Sequence, residues 1–506
     1  MKKQFFSLLV GLITYSIGAQ GINEMINYST SDLNGTARFK SMSGAFGALG
    51  GDLSAITINP AGSAIFNHSE VGITLSTSSL ENTTSFFDNS KLTDQNQFAF
   101  DQAGTVFVMK NFGDGNWKKI SFGINYQTQR NFKNNVHAGF VNNQNSIEDY
   151  FLDYAQGIDF LDLGADNITS AYIDIGNTPG LGYNAQQAFL GFQSYLIDFG
   201  DLSEDGVDNP SYYSYLSHNG SVNQELFLDT DGMSDQHNFN IAAQFKDSFY
   251  IGMNLNFHSI DYREKSDFYE YGYANDSAVR EVRFYNELYT LGKGFSLQLG
   301  AIGKINNNIR LGLSYQSPTW YSLEDEISQF IVTYSGEENV PDYFIDPNVI
   351  VVFDNTTKLQ TPSSLTASGA FIFGKKGLLN VDYINKNYRN TSLAPNNQFS
   401  IANAVANQIL TNTNAIRIGG EYRINRLSLR GGYRFEENPY KESGLGDDTK
   451  GFSMGMGYDF GGTLLSMSYN KTSSGIGRQL YTTGLTDQFN ILQDQSNVSV
   501  SLVFKL

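Results

Sequence analysis

From Val71 onward the chain repeats one pattern: apolar and polar residues alternate with a period of two. The last residues show it plainly. Val498, Val500, Leu502, Phe504 and Leu506 alternate with Ser499, Ser501, Val503 and Lys505. A period of two places each set on one face of a strand. No later segment of the chain covers the apolar face. Lipid would cover it, and pairing with the first strand would satisfy the open edge. The pattern therefore predicts a strand that closes a transmembrane β-barrel.

The same alternation recurs along the chain. It is seen in Val71-Ile73-Leu75, in Ile120-Phe122-Ile124-Tyr126 and in Phe249-Ile251-Met253-Leu255-Phe257. It returns in Leu365-Ala367-Gly369-Phe371-Phe373 and in Leu427-Leu429-Gly431-Tyr433-Phe435. With a segment near Thr105–Met109, about fourteen strands are counted, an even number as such barrels use. Connections alternate in length. Lys246-Asp247-Ser248, Asn306-Asn307-Asn308, Gly374–Gly377, Asn425-Arg426 and Gly461-Gly462 are short and carry Gly or Asn, suited to tight hairpins. Residues 80–101, 131–235, 263–280, 323–349, 390–413, 437–450 and 471–495 are expected as long external loops. A soluble sandwich or propeller would not produce this one-sided split. An even count places both termini on the short-turn side, expected to be periplasmic.

The fold class expected is thus all-β, a transmembrane antiparallel barrel. Composition agrees: 50 Gly, 30 Tyr and 38 Phe suit hairpins and aromatic girdles, and only 17% of residues are charged. The first residues read as a secretory signal, residues 1–19. Lys2 and Lys3 precede the apolar stretch Phe5–Ile13, and Gly18-Ala19 before Gln20 offers a cleavage site. The apolar stretch is much shorter than the roughly 20 residues of a spanning helix. The absence of cysteine excludes thiolate metal sites and disulfides. The net charge of −18 argues against nucleic acid as a partner. The acidic residues gather in the expected loops, as on a solvated surface.

Residues 20–69 do not alternate. Ser41–Asp52 is rich in small residues, and Asn59-Pro60-Ala61-Gly62 is turn chemistry. A compact segment that needs an outside wall is expected, with residues 70–506 forming that wall. Within the largest loop, 131–235, Ile147–Ala155 and Gln186–Leu196 have helical spacing. They are expected to cap the barrel mouth, either burying their apolar sides on each other or offering a landing site for a ligand.

The Gly44–Asp52 stretch followed by Asn59-Pro60-Ala61 resembles the N-terminal plug of the FadL-type outer-membrane transporters. The hairpin Leu297–Ser317, and Ala415–Arg423 through Leu429–Tyr433, are similar to hairpins of that family. The resemblance implies a fourteen-stranded barrel blocked by a plug in the outer membrane of a Gram-negative bacterium. It implies passive uptake of long-chain fatty acids or similar small hydrophobic compounds, with sideways release into the membrane. It also implies a monomer set among outer-membrane lipid and lipopolysaccharide, inserted by the barrel-assembly machinery. The 131–235 loop is longer than the family leads one to expect.

The alternation assigns Arg417, Glu421, Arg423, Arg430 and Arg434 to the lumen, with Asp382 and Asp459 on nearby strands. An arginine facing lipid near mid-membrane would cost about 2–4 kcal/mol, so this placement supports the register. Two readings stay open. Asp382, Glu421, Arg423 and Asp459 suit a salt-bridge network pinning the plug. Arg417, Arg430 and Arg434 suit a ligand carboxylate, for which the guanidinium fork is shaped. A ten-carbon tail supplies about 8 kcal/mol at about 0.8 per CH₂. An exposed Arg–carboxylate pair adds about 1 or less, and so orients more than it binds.

No enzyme, cofactor or metal is expected. The five His residues are scattered without metal-ligand spacing, and His237 near Asp235 and His258 near Asp261 are chance neighbours in an Asp-rich chain. The function expected is passive uptake of a hydrophobic compound. The alternative is a barrel that anchors its long loops as an adhesion or surface-binding protein.

Overall fold

The computed structural model describes residues 21–506 except 88, 112–114, 201–211, 337–340 and 443, and leaves the side chains of 354–356 undescribed. The expected signal sequence, 1–19, lies outside the described residues. Fourteen strands form the wall. They are β1 (Glu70–Phe86), β2 (Asn89–Lys110), β3 (Trp117–Asn131, continued by Asn134–Asn142), β4 (Val222–Phe245), β5 (Phe249–Tyr271) and β6 (Glu281–Lys304). Next come β7 (Ile309–Gln316, continued by Trp320–Tyr334), β8 (Val351–Gln360, continued by Ser364–Phe373) and β9 (Gly377–Asn387). The circuit ends with β10 (Asn412–Ile424), β11 (Leu427–Glu436), β12 (Gly446–Asp459), β13 (Thr463–Gln479) and β14 (Gln488–Lys505). Each strand pairs antiparallel with the next, and β14 pairs with β1 from Glu70↔Lys505 to Ser85↔Asn490. The sheet is a closed barrel.

The alternation separates two faces as the sequence predicts. Ile73, Phe122, Ile251, Leu313, Val381, Ile418, Met454 and Val500 face outward and are exposed. Ser121, Asn125, Asn254, Asn256, Ser296, Asn380 and Ser499 face the lumen and are buried. Apolar side chains exposed in a band around a closed sheet are what a hydrocarbon solvent requires. Short turns close one end, with left-handed glycines at Gly374 (φ +60°) and Gly461 (φ +105°).

The other end corrects the expected loops. Residues 80–101 are almost entirely strand, with the β1–β2 hairpin turning at Phe87. Likewise β5 runs to Tyr271, β7 to Tyr334 and β13 to Gln479. The 131–235 loop shrinks to 143–221, because Asn134–Asn142 pairs with Val222–Thr230. The longest strands have 24 residues, well beyond the 9–11 that cross a bilayer. In their outer halves the apolar positions turn inward, as at Leu226, Leu228, Val282 and Phe284, and polar or charged residues such as Glu225, Asp229, Arg283 and Glu287 alternate with them, so no outward apolar face marks these stretches, yet the ladder hydrogen bonds continue.

The N-terminal segment lies inside the barrel. It comprises α1 (Ile22–Ser29), α2 (Ala37–Ser41) and two short 3₁₀ turns, Ser54–Thr57 and Pro60–Ile65. Thr36 caps α2 by accepting the Phe39 N–H. Leu33, Phe39, Met42, Phe46, Ala48 and Leu49 form a small cluster completed by Ala370 of the wall. Close approach to the wall depends on inward-facing glycines. A Cβ on Gly312 would stand 2.3 Å from the Gly47 carbonyl oxygen, and one on Gly252 would stand 2.5 Å from the Pro60 backbone. We expect Gly312→Val to displace the segment, lowering the thermal transition of the folded barrel and opening residues 33–66 to protease. Unchanged gel mobility on heating and unchanged cleavage would show that the wall tolerates the side chain.

Candidate functional site

The N-terminal segment is held by side chains from around the wall. Asn59, at the start of the Pro60–Ile65 turn, accepts the Ala61 N–H at 3.1 Å and donates to the carbonyls of Gly47 (2.8 Å) and Ala301 (3.1 Å). Pro60 occupies the first turn, where its missing N–H has no consequence, and Ala61 is fully buried. Asp382 accepts the backbone N–H of Phe46 (2.8 Å) and Gly47 (3.1 Å), with Asn380 donating at 2.6 Å. It is a backbone clasp rather than a partner in an ion pair. Glu421, itself buried, takes Arg38 of α2 at 2.9 Å and wall residues Arg423 at 2.6 Å and Arg430 at 2.8 Å. Asp459 sits apart near a short turn and pairs with Lys505 at 2.8 Å.

A further clasp had no signal in the sequence. Lys40 is fully buried and pairs with Asp101 of β2 at 2.6 Å, and Ser76 donates to the second Asp101 oxygen at 2.6 Å. Asp101 falls where a loop was expected, and no period assigns Lys40 a direction. His258 is placed deep in the lumen, 2.9 Å from the Ser296 hydroxyl.

The three candidate arginines do not converge. Arg430 belongs to the Glu421 group, whereas Arg417 (2.8 Å) and Arg434 (3.7 Å) share Glu436. Arg434 lines a chamber of about 290 Å³ between α1 and the wall, with Ile26, Phe132, Tyr262, Tyr388 and Arg478. Met25 and Tyr28 of α1 pack into an apolar cluster with Phe132 and Tyr262; the Tyr28 ring stands edge-on to both, at 6.2 Å and 5.8 Å. Arg434 also donates to Thr472 at 3.0 Å, while its buried Nε has no partner among the described residues. Such an orphaned donor is costly to leave unmade.

Beside this chamber the backbone ladder of the wall is interrupted, and side chains bridge the gap: Thr128 donates to the Phe100 carbonyl at 3.1 Å and Thr93 to the Asn135 carbonyl at 2.6 Å. β2 pairs with β3 only from Gln102↔Gln127 to Lys110↔Lys119. Beyond that point, among the described residues, Asn89–Asp101 pairs only with β1, and the β3 continuation only with β4. The N-terminal segment occupies the inner side of this break. Asp32 N–H donates to the Gln129 carbonyl at 2.8 Å, Gln127 donates to the Asn34 carbonyl at 2.9 Å, and Arg130 reaches Thr30. A shift of register between Thr128 and Arg130 marks the same place on the β3–β4 side.

At the other end of the barrel, the described residues of 143–221 form a cap of α3 (Ile147–Ala155), α4 (Ile168–Asn177) and α5 (Gly182–Gln193). The wall residue Glu270 accepts the Ile147 N–H at 2.9 Å and so holds the start of α3. Ile147, Phe151, Phe189 and Leu190 are buried against Phe284, Ile331 and Phe489 of the barrel mouth. The cap helices thus bury their apolar sides on each other and on the wall. Outside, a small apolar niche of about 140 Å³ lies between Tyr195, Tyr215, Val279 and Tyr343.

Two outcomes follow from the clasps. Breaking a buried ion pair leaves a lone buried charge, so Lys40→Met should destabilise the barrel by about 3–5 kcal/mol, while Lys40→Met with Asp101→Leu should regain most of that loss. Equilibrium unfolding in lipid measures both. Glu24 of α1 lines the chamber, and burial together with Glu264 pushes its carboxyl up from 4.5 to about 7. Docking of α1 should therefore be strongest below pH 4.5 and weaken progressively as pH rises to about 7. Glu24→Gln should flatten that dependence, read as cleavage of the N-terminal segment by a protease whose own pH response is calibrated.

The sequence matches no family profile and no curated protein. Solved structures do resemble it. A FadL homologue from Pseudomonas aeruginosa superposes with a TM-score of 0.54 at 9% identity, covering 94% of this chain and 99% of that one. The toluene transporter TodX of P. putida gives 0.52 at 12% identity, with 94% and 99% covered. Such identities establish architecture alone. The fold of this chain is that of the FadL-type barrels, fourteen antiparallel strands closed around an N-terminal segment.

Proposed function

We propose that the protein is an outer-membrane channel for passive uptake of small hydrophobic compounds, long-chain fatty acids among them. The carrying observation is the break between β2 and β3 beside the chamber at α1. The paired stretch of β2, Gln102–Lys110, is about as long as a strand needs to cross the bilayer, so the break opens at the outer edge of the lipid. A break lined by the N-terminal segment supports a lateral exit that opens when that segment shifts. The apolar niche at Tyr195 and Tyr343 supports capture from outside, and the mixed lining beside α1 supports transient holding. Transport here needs no energy source: each apolar group leaves water for protein and then protein for lipid.

Of the three candidate arginines, Arg434 is the best placed to hold a carboxylate, because it lines the chamber and keeps an unpartnered Nε. Arg417 is engaged by Glu436 and Arg430 by Glu421. The adhesion alternative is disfavoured by the cap, whose main apolar faces are already consumed in closing the mouth.

The test uses the chain's lack of cysteine. Ala99→Cys and Asn131→Cys, placed on either side of the break, can be joined by a short bis-maleimide. Cells carrying the unlinked protein should take up labelled oleate and toluene faster than cells without it. Joining the pair should return uptake to the background rate. Full uptake by the joined protein would refute lateral exit, and equal uptake with and without the protein would refute the channel reading itself.

A further inference from the structure

We propose that the chamber at the short-turn end of the barrel is a binding site for a small oxyanion, a carboxylate or phosphate group presented from that side. This chamber, of about 500 Å³, lies between the underside of the N-terminal segment and the turns at Gly374–Gly377 and Asn425-Arg426. It shares no lining residue with the chamber at α1. The inference therefore does not rest on how a hydrophobic compound enters or leaves.

The charge of the chamber opposes that of the chain. The protein carries a net −18, yet seven cationic side chains line this space against three acidic ones. Two of those acids are already engaged. Asp52 accepts the Thr36 hydroxyl at 2.8 Å and the Ser54 N–H at 2.9 Å, and Asp459 is paired with Lys505. Behind the lining, the single carboxylate of Glu421 serves Arg38, Arg423 and Arg430 together. One negative charge cannot neutralise three guanidiniums. Arg310 is more poorly matched still: its guanidinium donates to the Leu49 carbonyl at 3.0 Å, and no carboxylate lies within ion-pair distance among the described residues. Arg426 and Lys375, on the facing turns, are likewise without an ion-pair partner among the described residues.

Several cations around a partly enclosed space focus their field into it, and protein walls screen that field less than open water. Guanidiniums supply forked donors that match a carboxylate or phosphate. Two sources fit this chemistry, a free anion and the headgroup of an anionic amphiphile. Both would arrive from the short-turn side, below the segment that fills the lumen.

Titration calorimetry on the purified full-length barrel in a neutral detergent tests this with inorganic phosphate, decanoate and decanol. Phosphate binding would assign a free anion, and decanoate binding without phosphate would assign a headgroup. In either case Arg310→Gln should weaken binding about tenfold, equivalent to about 1.4 kcal/mol. Lys375→Gln with Arg426→Gln, both on turns, should do the same without disturbing the lumen packing. Arg434→Gln, in the other chamber, should leave phosphate affinity unchanged and is the control for decanoate bound there. No binding of either anion overturns the proposal. So does binding that decanol matches, or that the turn variants leave unmoved.

Discussion

In hydrocarbon a backbone N–H or C=O has no water to turn to, and this constraint organises the whole chain. It requires the last strand to find the first, and β14 does pair with β1 along sixteen positions from Glu70 to Ser85. It requires an apolar outer face, which sends the polar alternate positions inward. The lumen is then lined with Asn, Gln, Ser and Asp side chains that must themselves be satisfied. The N-terminal segment meets part of that need. Asn240 donates to the Pro60 carbonyl at 3.0 Å, Asn254 to the Ile56 carbonyl at 2.9 Å, and Gln298 to the carbonyls of Thr57 and Ile58 at 3.0 Å. Lumen wall and N-terminal segment are in this sense one hydrogen-bonded structure.

The same constraint makes the exception informative. Between β2 and β3 the ladder stops part-way, and the N-terminal segment bonds to β3 there, by the Asp32 N–H to the Gln129 carbonyl and by the Gln127 side chain to the Asn34 carbonyl. The segment thus fills the lumen and also bonds to the wall beside the break. Residues 27–34 touch both the break and the chamber at α1. The buried Lys40–Asp101 pair stands next to this point, because Asp101 immediately precedes the last β2 residue paired with β3.

Charge is distributed with equal selectivity. Glu436 holds Arg417 and Arg434 at one level of the lumen, and Glu421 holds Arg38, Arg423 and Arg430 at another. Arg434 thereby lines the chamber beside the break, and Arg38, Arg423 and Arg430 line the one at the short turns. The acidic surplus of the chain lies elsewhere.

The sequence by itself determined the barrel, its strand number, the lipid-facing side of each strand and the short turns, because a period of two leaves no choice of face once one side must meet lipid. Asn59, Pro60 and Ala61 were legible as turn chemistry, and Glu421 and Arg430 as lumen residues. The outer halves of the strands were not legible, since beyond the lipid the apolar positions turn inward, as at Leu228, Phe284 and Ile331, and the outward apolar face ends while the ladder persists. Only the tertiary structure decided which carboxylate each arginine meets, that Asp382 clasps backbone rather than cation, that Lys40 reaches Asp101, and where the wall breaks. Those facts depend on how an aperiodic segment seats inside the barrel. That seating is set by long-range packing against Gly252, Gly300 and Gly312, whose empty side-chain positions carry no directional signal along the sequence.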